Sequence, residues 1–171
     1  MYDFLLPFLN PPKNNGVIFK NWFYSVKTDI IDESEKKLGI EFPSQLKEFY
    51  QHIGYGSLSS GINDSEHHMF SGSNFILPPD MIVDIFLDND NCGYMSPHTF
   101  ELMEPGDLPF FEIADSTHFL FMKLNSDNPN AVWDYDLKIT DSFEEFVWRL
   151  YYESPDFYGQ IITDYLESKK K

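Results

Sequence analysis

Residues 31–56 read IDESEKKLGIEFPSQLKEFYQHIGYG, and their punctuation spells two short amphipathic helices. Asp32 is placed to cap the first, Lys36 and Lys37 sit in its last turn, and Gly39 falls where a left-handed C-terminal residue is wanted. Pro43 fixes the entry to the second helix. Leu46, Phe49, Tyr50 and Ile53 recur at helical spacing along one face, and Gly54 stops the run.

On the N-terminal side, residues 1–29 read as an extension that packs on the core. A loop at Pro11, Pro12, Asn14, Asn15 and Gly16 is followed by Phe19, Trp22, Phe23 and Tyr24. On the C-terminal side, residues 54–72 are rich in Gly and Ser, predicting a loop with one strand. Leu77-Pro78-Pro79 introduces a short helix over 80–86, and residues 88–93 (DNDNCG) form a turn. From Phe110 the pattern turns to strands. Residues 110–113, the run holding Phe119, Phe121 and Leu124, and residues 131–135 are three strands joined by short polar turns, an antiparallel meander. Ser142 and Glu145 then make a capping box for a helix that buries Phe146, Val147, Leu150 and Tyr151. A last amphipathic helix follows Pro155 over residues 156–168.

Composition sets bounds on what this chain does. At 171 residues with 42% hydrophobic and 18% aromatic content, it has ample material for one domain with a real core. Its 28 acidic and 12 basic residues give a net charge of −16, which disfavours nucleic acid and anionic membrane and favours a basic partner. Cys92 is the sole cysteine, so no internal disulfide forms and a reducing cytoplasm is the expected compartment. The N-terminal stretch MYDFLLPFLNPP has no positive n-region and is interrupted by prolines, a poor signal peptide. No apolar run approaches the ~18 residues of a membrane span.

Several details go beyond generic helices and strands. Leu38-Gly39, Phe42-Pro43, the Lys47-x-Phe49-Tyr50 run and the glycine-rich exit resemble the opening signature of the SUKH superfamily. Downstream, Ile113-Ala114-Asp115, Val132-Trp133 and Ser142-Phe143-Glu144-Glu145-Phe146 resemble its later motifs in order and spacing. The resemblance covers roughly residues 30–152, leaving 153–171 as a C-terminal helix. Ser116-Thr117 stands where many members carry glycines, and Gly54-Tyr55-Gly56 replaces a common Asn-Gly-Gly. The resemblance implies a SUKH-like α+β domain, an antiparallel sheet flanked by helices. It also implies a bacterial immunity protein that neutralises a cognate toxin, or else a Smi/Knr-type regulator or scaffold acting on endogenous partners.

The sequence carries no catalytic constellation, so neither enzyme activity nor a cofactor is expected. Glu66, His67, His68, His98 and His118 supply donors, but there is no His-Glu-x-x-His motif and the lone cysteine rules out a Cys-based zinc site. A third reading, a metal-dependent hydrolase, would have to use Glu66, His67, His68 and a distant carboxylate. Asp88, Asp90 and Gly93 fit the start of a calcium loop, yet its twelfth position is Thr99 and the bidentate carboxylate is missing. Gly54-Tyr55-Gly56 trails a helix instead of a strand and reads as helix termination. Asp134 and Asp136 alternate along a strand end, where both could face one side.

Charge patterning is more telling. Between Lys47 and Lys123 there is no lysine or arginine, whereas Glu48, Asp64, Glu66, Asp80, Asp84, Asp88, Asp90, Glu101, Glu104, Asp107, Glu112 and Asp115 all fall there. A one-sign region projects a field that speeds capture of a basic partner. Phe86, Tyr94, Phe100 and Phe110 are interleaved with these acids as candidate apolar anchors. The expected contact surface is Asp84, Asp88, Asp90, Glu101, Glu104 and Asp107, presented to a protein toxin with a basic surface.

Overall fold

A computed structural model describes residues 1–12, 20–62, 73–87, 101–113 and 117–170. A 3-10 helix at Asp3–Phe8 leads into β1 (Asn21–Tyr24), then α1 (Thr28–Leu38) and α2 (Ser44–His52). Next come β2 (Tyr55–Leu58), β3 (Phe75–Ile76) and α3 (Pro79–Leu87). The chain continues through β4 (Asp107–Glu112), β5 (Phe119–Lys123), β6 (Val132–Asp134) and β7 (Leu137–Thr140), and ends in α4 (Phe143–Tyr152) and α5 (Phe157–Ser168). The expected α+β architecture holds, and the meander is longer than the three strands the sequence predicts. Among the described residues, seven strands lie in one sheet in chain order, every neighbouring pair antiparallel.

The helical pair forms with one shift. Its first helix begins at Thr28, four residues before Asp32, so Asp32 is interior and Asp29 supplies the carboxylate of the first turn. Gly39 ends α1 at φ 70°, donating its N–H to the Glu35 carbonyl. The Glu35 side chain then ties the pair together, accepting from Phe42 N at 2.8 Å and from Lys47 Nζ at 2.7 Å. That hydrogen bond to Glu35 raises the Lys47 pKa.

Gly54 and Gly56 do more than terminate α2. They lie beside β1, where a Cβ would stand 1.9 Å from the Tyr24 carbonyl oxygen and 2.0 Å from that of Trp22. Both adopt positive φ, 112° and 153°. The GxG is thus the close approach that lets the N-terminal segment join the sheet. Asn21 extends the pairing, accepting from Ser59 N and Ser60 N at 2.9 Å each and donating to the Ser60 carbonyl at 2.7 Å.

The core lies between one face of the sheet and the helices. Edge-to-face rings run through it: Tyr2 on Phe49 (5.0 Å), Phe49 on Phe143 (5.2 Å), Phe143 on Phe110 (5.5 Å) and Phe146 on Phe111 (5.0 Å). Such pairs add about 0.5–1.5 kcal/mol each beyond their buried area. Consecutive strand residues normally point to opposite faces, yet Phe110 and Phe111 both pack on Phe146. A register shift between Pro109 and Phe111 makes this possible. Phe110 is fully buried, so the sequence reading of it as a surface anchor is corrected.

α4 starts as its capping box predicts, with Ser142 Oγ accepting from Glu145 N at 3.0 Å. The reciprocal arm reaches one residue further back, Glu145 Oε2 accepting from Asp141 N at 3.3 Å. α5 is held through a buried asparagine on the strand side. Asn74 Nδ2 donates to the Pro155 carbonyl (2.5 Å), Asn74 Oδ1 accepts from Tyr158 Oη (2.7 Å), and Asn74 N donates to Ser59 Oγ (2.8 Å). The ring of Tyr158 packs on Phe111 at 5.9 Å. This fixes α5 alongside the β7 end of the sheet.

Candidate partner-binding site

The six acids of the expected contact surface fall into three groups. Asp84 is exposed on α3, while Asp88 and Asp90 lie outside the described residues. Glu101 and Glu104 are exposed on the segment entering β4. Asp107 is only 2% exposed, which corrects its assignment to a presented surface. Its Oδ2 accepts from Glu104 N at 3.0 Å, closing the turn that carries Glu104. Burial raises the Asp107 pKa, opposed by that backbone hydrogen bond and by Lys123. The metal-donor candidates Glu66, His67 and His68 lie outside the described residues, as do Tyr94 and Phe100. Among the described residues no three His, Cys, Asp or Glu side chains are grouped to hold a metal ion.

What the fold builds around Glu104 is a cleft of about 380 Å³ between the ends of β5 and β6, the β6–β7 turn and α5. That is within the size range of ligand pockets. Lys123, the residue that ends the cation-free interval of the sequence, stands where the acids converge. Its Nζ lies 3.2 Å from Glu104 Oε2, 3.7 Å from Asp107 Oδ1 and 3.8 Å from Asp136 Oδ1. Asp134 and Asp136 both line the cleft, but in different environments. Asp134 is buried against His118, with Nε2 and Oδ1 2.7 Å apart, whereas the Asp136 side chain is 81% exposed. Tyr135, held between them at φ 49°, sets the tight turn and meets the His118 ring edge-on at 5.6 Å.

Apolar side chains complete the lining: Leu102, two residues before Glu104, and Ile162, Tyr165 and Leu166 of α5. Leu102 is 46% and Leu166 53% exposed, a high value for large aliphatic side chains. Lys169 closes one end, its Nζ 4.4 Å from the Tyr165 ring centroid. Sequence reasoning reached Glu104 and paired Asp134 with Asp136, but missed Lys123 and the α5 wall. The signal for Lys123 was its position at the end of the acidic interval. No local pattern tells which strand ends α5 will lie against.

A second aromatic cluster joins exposed Tyr24 to the half-buried Trp22, Tyr55 and Phe75, with centroids 5.3–6.3 Å apart. Among the described residues, no helix is long and apolar enough to cross a membrane.

Comparison with known proteins agrees with this architecture. Residues 25–149 match the SMI1 / KNR4 family (SUKH-1). Over 146 residues, spanning 85% of this chain and 92% of the relative, the sequence is 34% identical to "Immunity protein YxxD" of Bacillus subtilis (strain 168). No solved structure matches.

Proposed function

The chain belongs to the SMI1 / KNR4 family (SUKH-1), and from that premise we propose that it is an immunity protein that binds and neutralises a cognate protein toxin. The observation that carries this reading is the 34% identity to an immunity protein across nearly the full length of both chains. The net charge of −16 supports a partner with a basic surface. A nuclease domain is the toxin class that fits, because gripping phosphates demands lysines and arginines. The protein acts by stoichiometric occlusion, a competing polyanion with shape-specific contacts and no turnover. It works in the cytoplasm, without cofactor, nucleic acid or membrane. Asp84, Glu101 and Glu104 are the exposed described acids offered to the toxin, and Asp88 and Asp90 belong to the same proposal.

The test is capture from the native host with tagged protein, elution by stepwise salt and identification by mass spectrometry, followed by co-expression. A basic toxin domain that binds one to one and stops growth only when this protein is absent supports the reading. Recovery of cell-wall or signalling proteins, with no toxin neutralised, moves the assignment to the regulator or scaffold class.

A further inference from the structure

The charges around the cleft do not balance. One ammonium, Lys123, is shared by the carboxylates of Glu104, Asp107 and Asp136, so two negative charges are left over at one point. Asp107 is buried, which puts the surplus on Glu104 and Asp136, whose side chains are 67% and 81% exposed at the mouth. The same cleft is lined by the half-exposed aliphatic chains of Leu102 and Leu166. An anion is repelled by this arrangement. A purely apolar group would desolvate the carboxylates without compensation. A bare metal ion leaves the leucines exposed. A cation carried on an aliphatic stem satisfies both the carboxylates and the leucines, which is the chemistry of an arginine or lysine side chain.

The chain itself supplies such a group at the rim. Lys169, the C-terminal cap residue of α5, lines the cleft and rests on Tyr165. It is exposed at the C-terminal end of α5. Asp134 is already engaged by His118 and does not compete for a guest.

We propose that this cleft receives an arginine or lysine side chain projecting from the toxin, its head group bridging Glu104 and Asp136 and its stem lying on Leu102 and Leu166. Lys169 stands in for that side chain in the free protein. The identity of the partner rests on the immunity reading; the preference of the cleft is a property of this chain alone.

The experiment titrates the isotope-labelled full chain with N-acetyl-argininamide, using N-acetyl-leucinamide and N-acetyl-glutamic acid amide as controls, and follows amide shifts by NMR. The arginine probe is expected to produce saturable shifts at Leu102, Glu104, Asp136 and Leu166 with a Kd of about 1–10 mM, typical of a ligand this small. The leucine probe binds at least about tenfold more weakly and the glutamate probe not at all. E104Q combined with D136N, both at exposed positions, lowers arginine affinity on the order of tenfold, whereas K169A raises it about two- to fivefold. Equal binding of arginine and leucine probes, shifts centred elsewhere, or indifference to E104Q and D136N overturns the assignment. If the probe fails while the protein still neutralises a toxin, the cleft proposal falls and the immunity reading stands. If the probe binds as described and no toxin is neutralised, the cleft assignment stands and the immunity reading falls.

Discussion

Gly39 ends α1 with φ 70°, and nothing lies within 4 Å of where its Cβ would stand, so its demand is on backbone conformation alone. Gly54 adopts φ 112° and also faces the Tyr24 carbonyl at 1.9 Å from an ideal Cβ. Gly39→Ala should therefore cost about 1–2 kcal/mol, the strain of a left-handed alanine. Gly54→Ala should cost at least about 3 kcal/mol, because it also drives β1 off the sheet. Urea unfolding of both variants checks this, and equal costs would refute the close-approach account. Asp107 makes a different prediction. Its pKa is raised by burial above the ordinary 3.8, so the folded state takes up this proton before the unfolded chain does. The stability that follows is gained as pH falls through the folded value and is fully present below 3.8. Asp107→Asn removes that proton uptake. Its stability relative to the native protein should fall between pH 7 and about pH 4, measured by urea unfolding across that range. A pH-independent difference would show that the carboxyl is not penalised by burial.

At the scale of elements, much of the fold was legible where one local rule dominates. The α1–α2 pair, the α4 cap at Ser142 and the strands from Phe110 onward all carry period and punctuation in a single stretch. What escaped was set by distant partners. β3 is two residues long, too short to show a period, and exists because Phe75 and Ile76 sit between β2 and β4. β1 forms because Gly54 and Gly56 leave room for it. The start of α1 moved upstream because Asp29 provides the first-turn carboxylate in place of Asp32. The candidate site follows the same division. Its acids were visible as an interval without cations, whereas the α5 wall depends on Asn74 holding Pro155 and Tyr158 from 81 and 84 residues away. Asn74→Ala leaves the Pro155 carbonyl and the buried Tyr158 hydroxyl without this partner, at about 1–3 kcal/mol for each group. Hydrogen exchange should then quicken across α5 and spare α2. Unchanged protection of α5 would mean that its apolar contacts alone hold it in place.

For the whole molecule, the central quantity is where 28 acids and 12 bases come to rest. Ion pairs hold Lys47 to Glu35, Lys138 to Asp141, Arg149 to Glu153 and Lys123 to three carboxylates, whereas most of the described acids stand exposed at the surface. The acid surplus therefore faces outward, and it acts at long range before any contact forms. A field of this kind raises the association rate with a basic partner and leaves the dissociation rate mainly to the short-range contacts. Screening separates the two, since the Debye length shrinks from about 10 Å at 0.1 M salt to about 3 Å at 1 M. Surface plasmon resonance against the captured toxin should show the association rate falling at least about tenfold over that range, with dissociation changing much less. Neutralising Asp84 and Glu101, which stand outside the cleft lining, should reduce the association rate and its salt dependence while sparing dissociation. Neutralising Glu104 and Asp136 should do both, because those two would lose a bound cation as well as the field. A salt-independent association rate would remove steering from the account and leave shape as the basis of recognition.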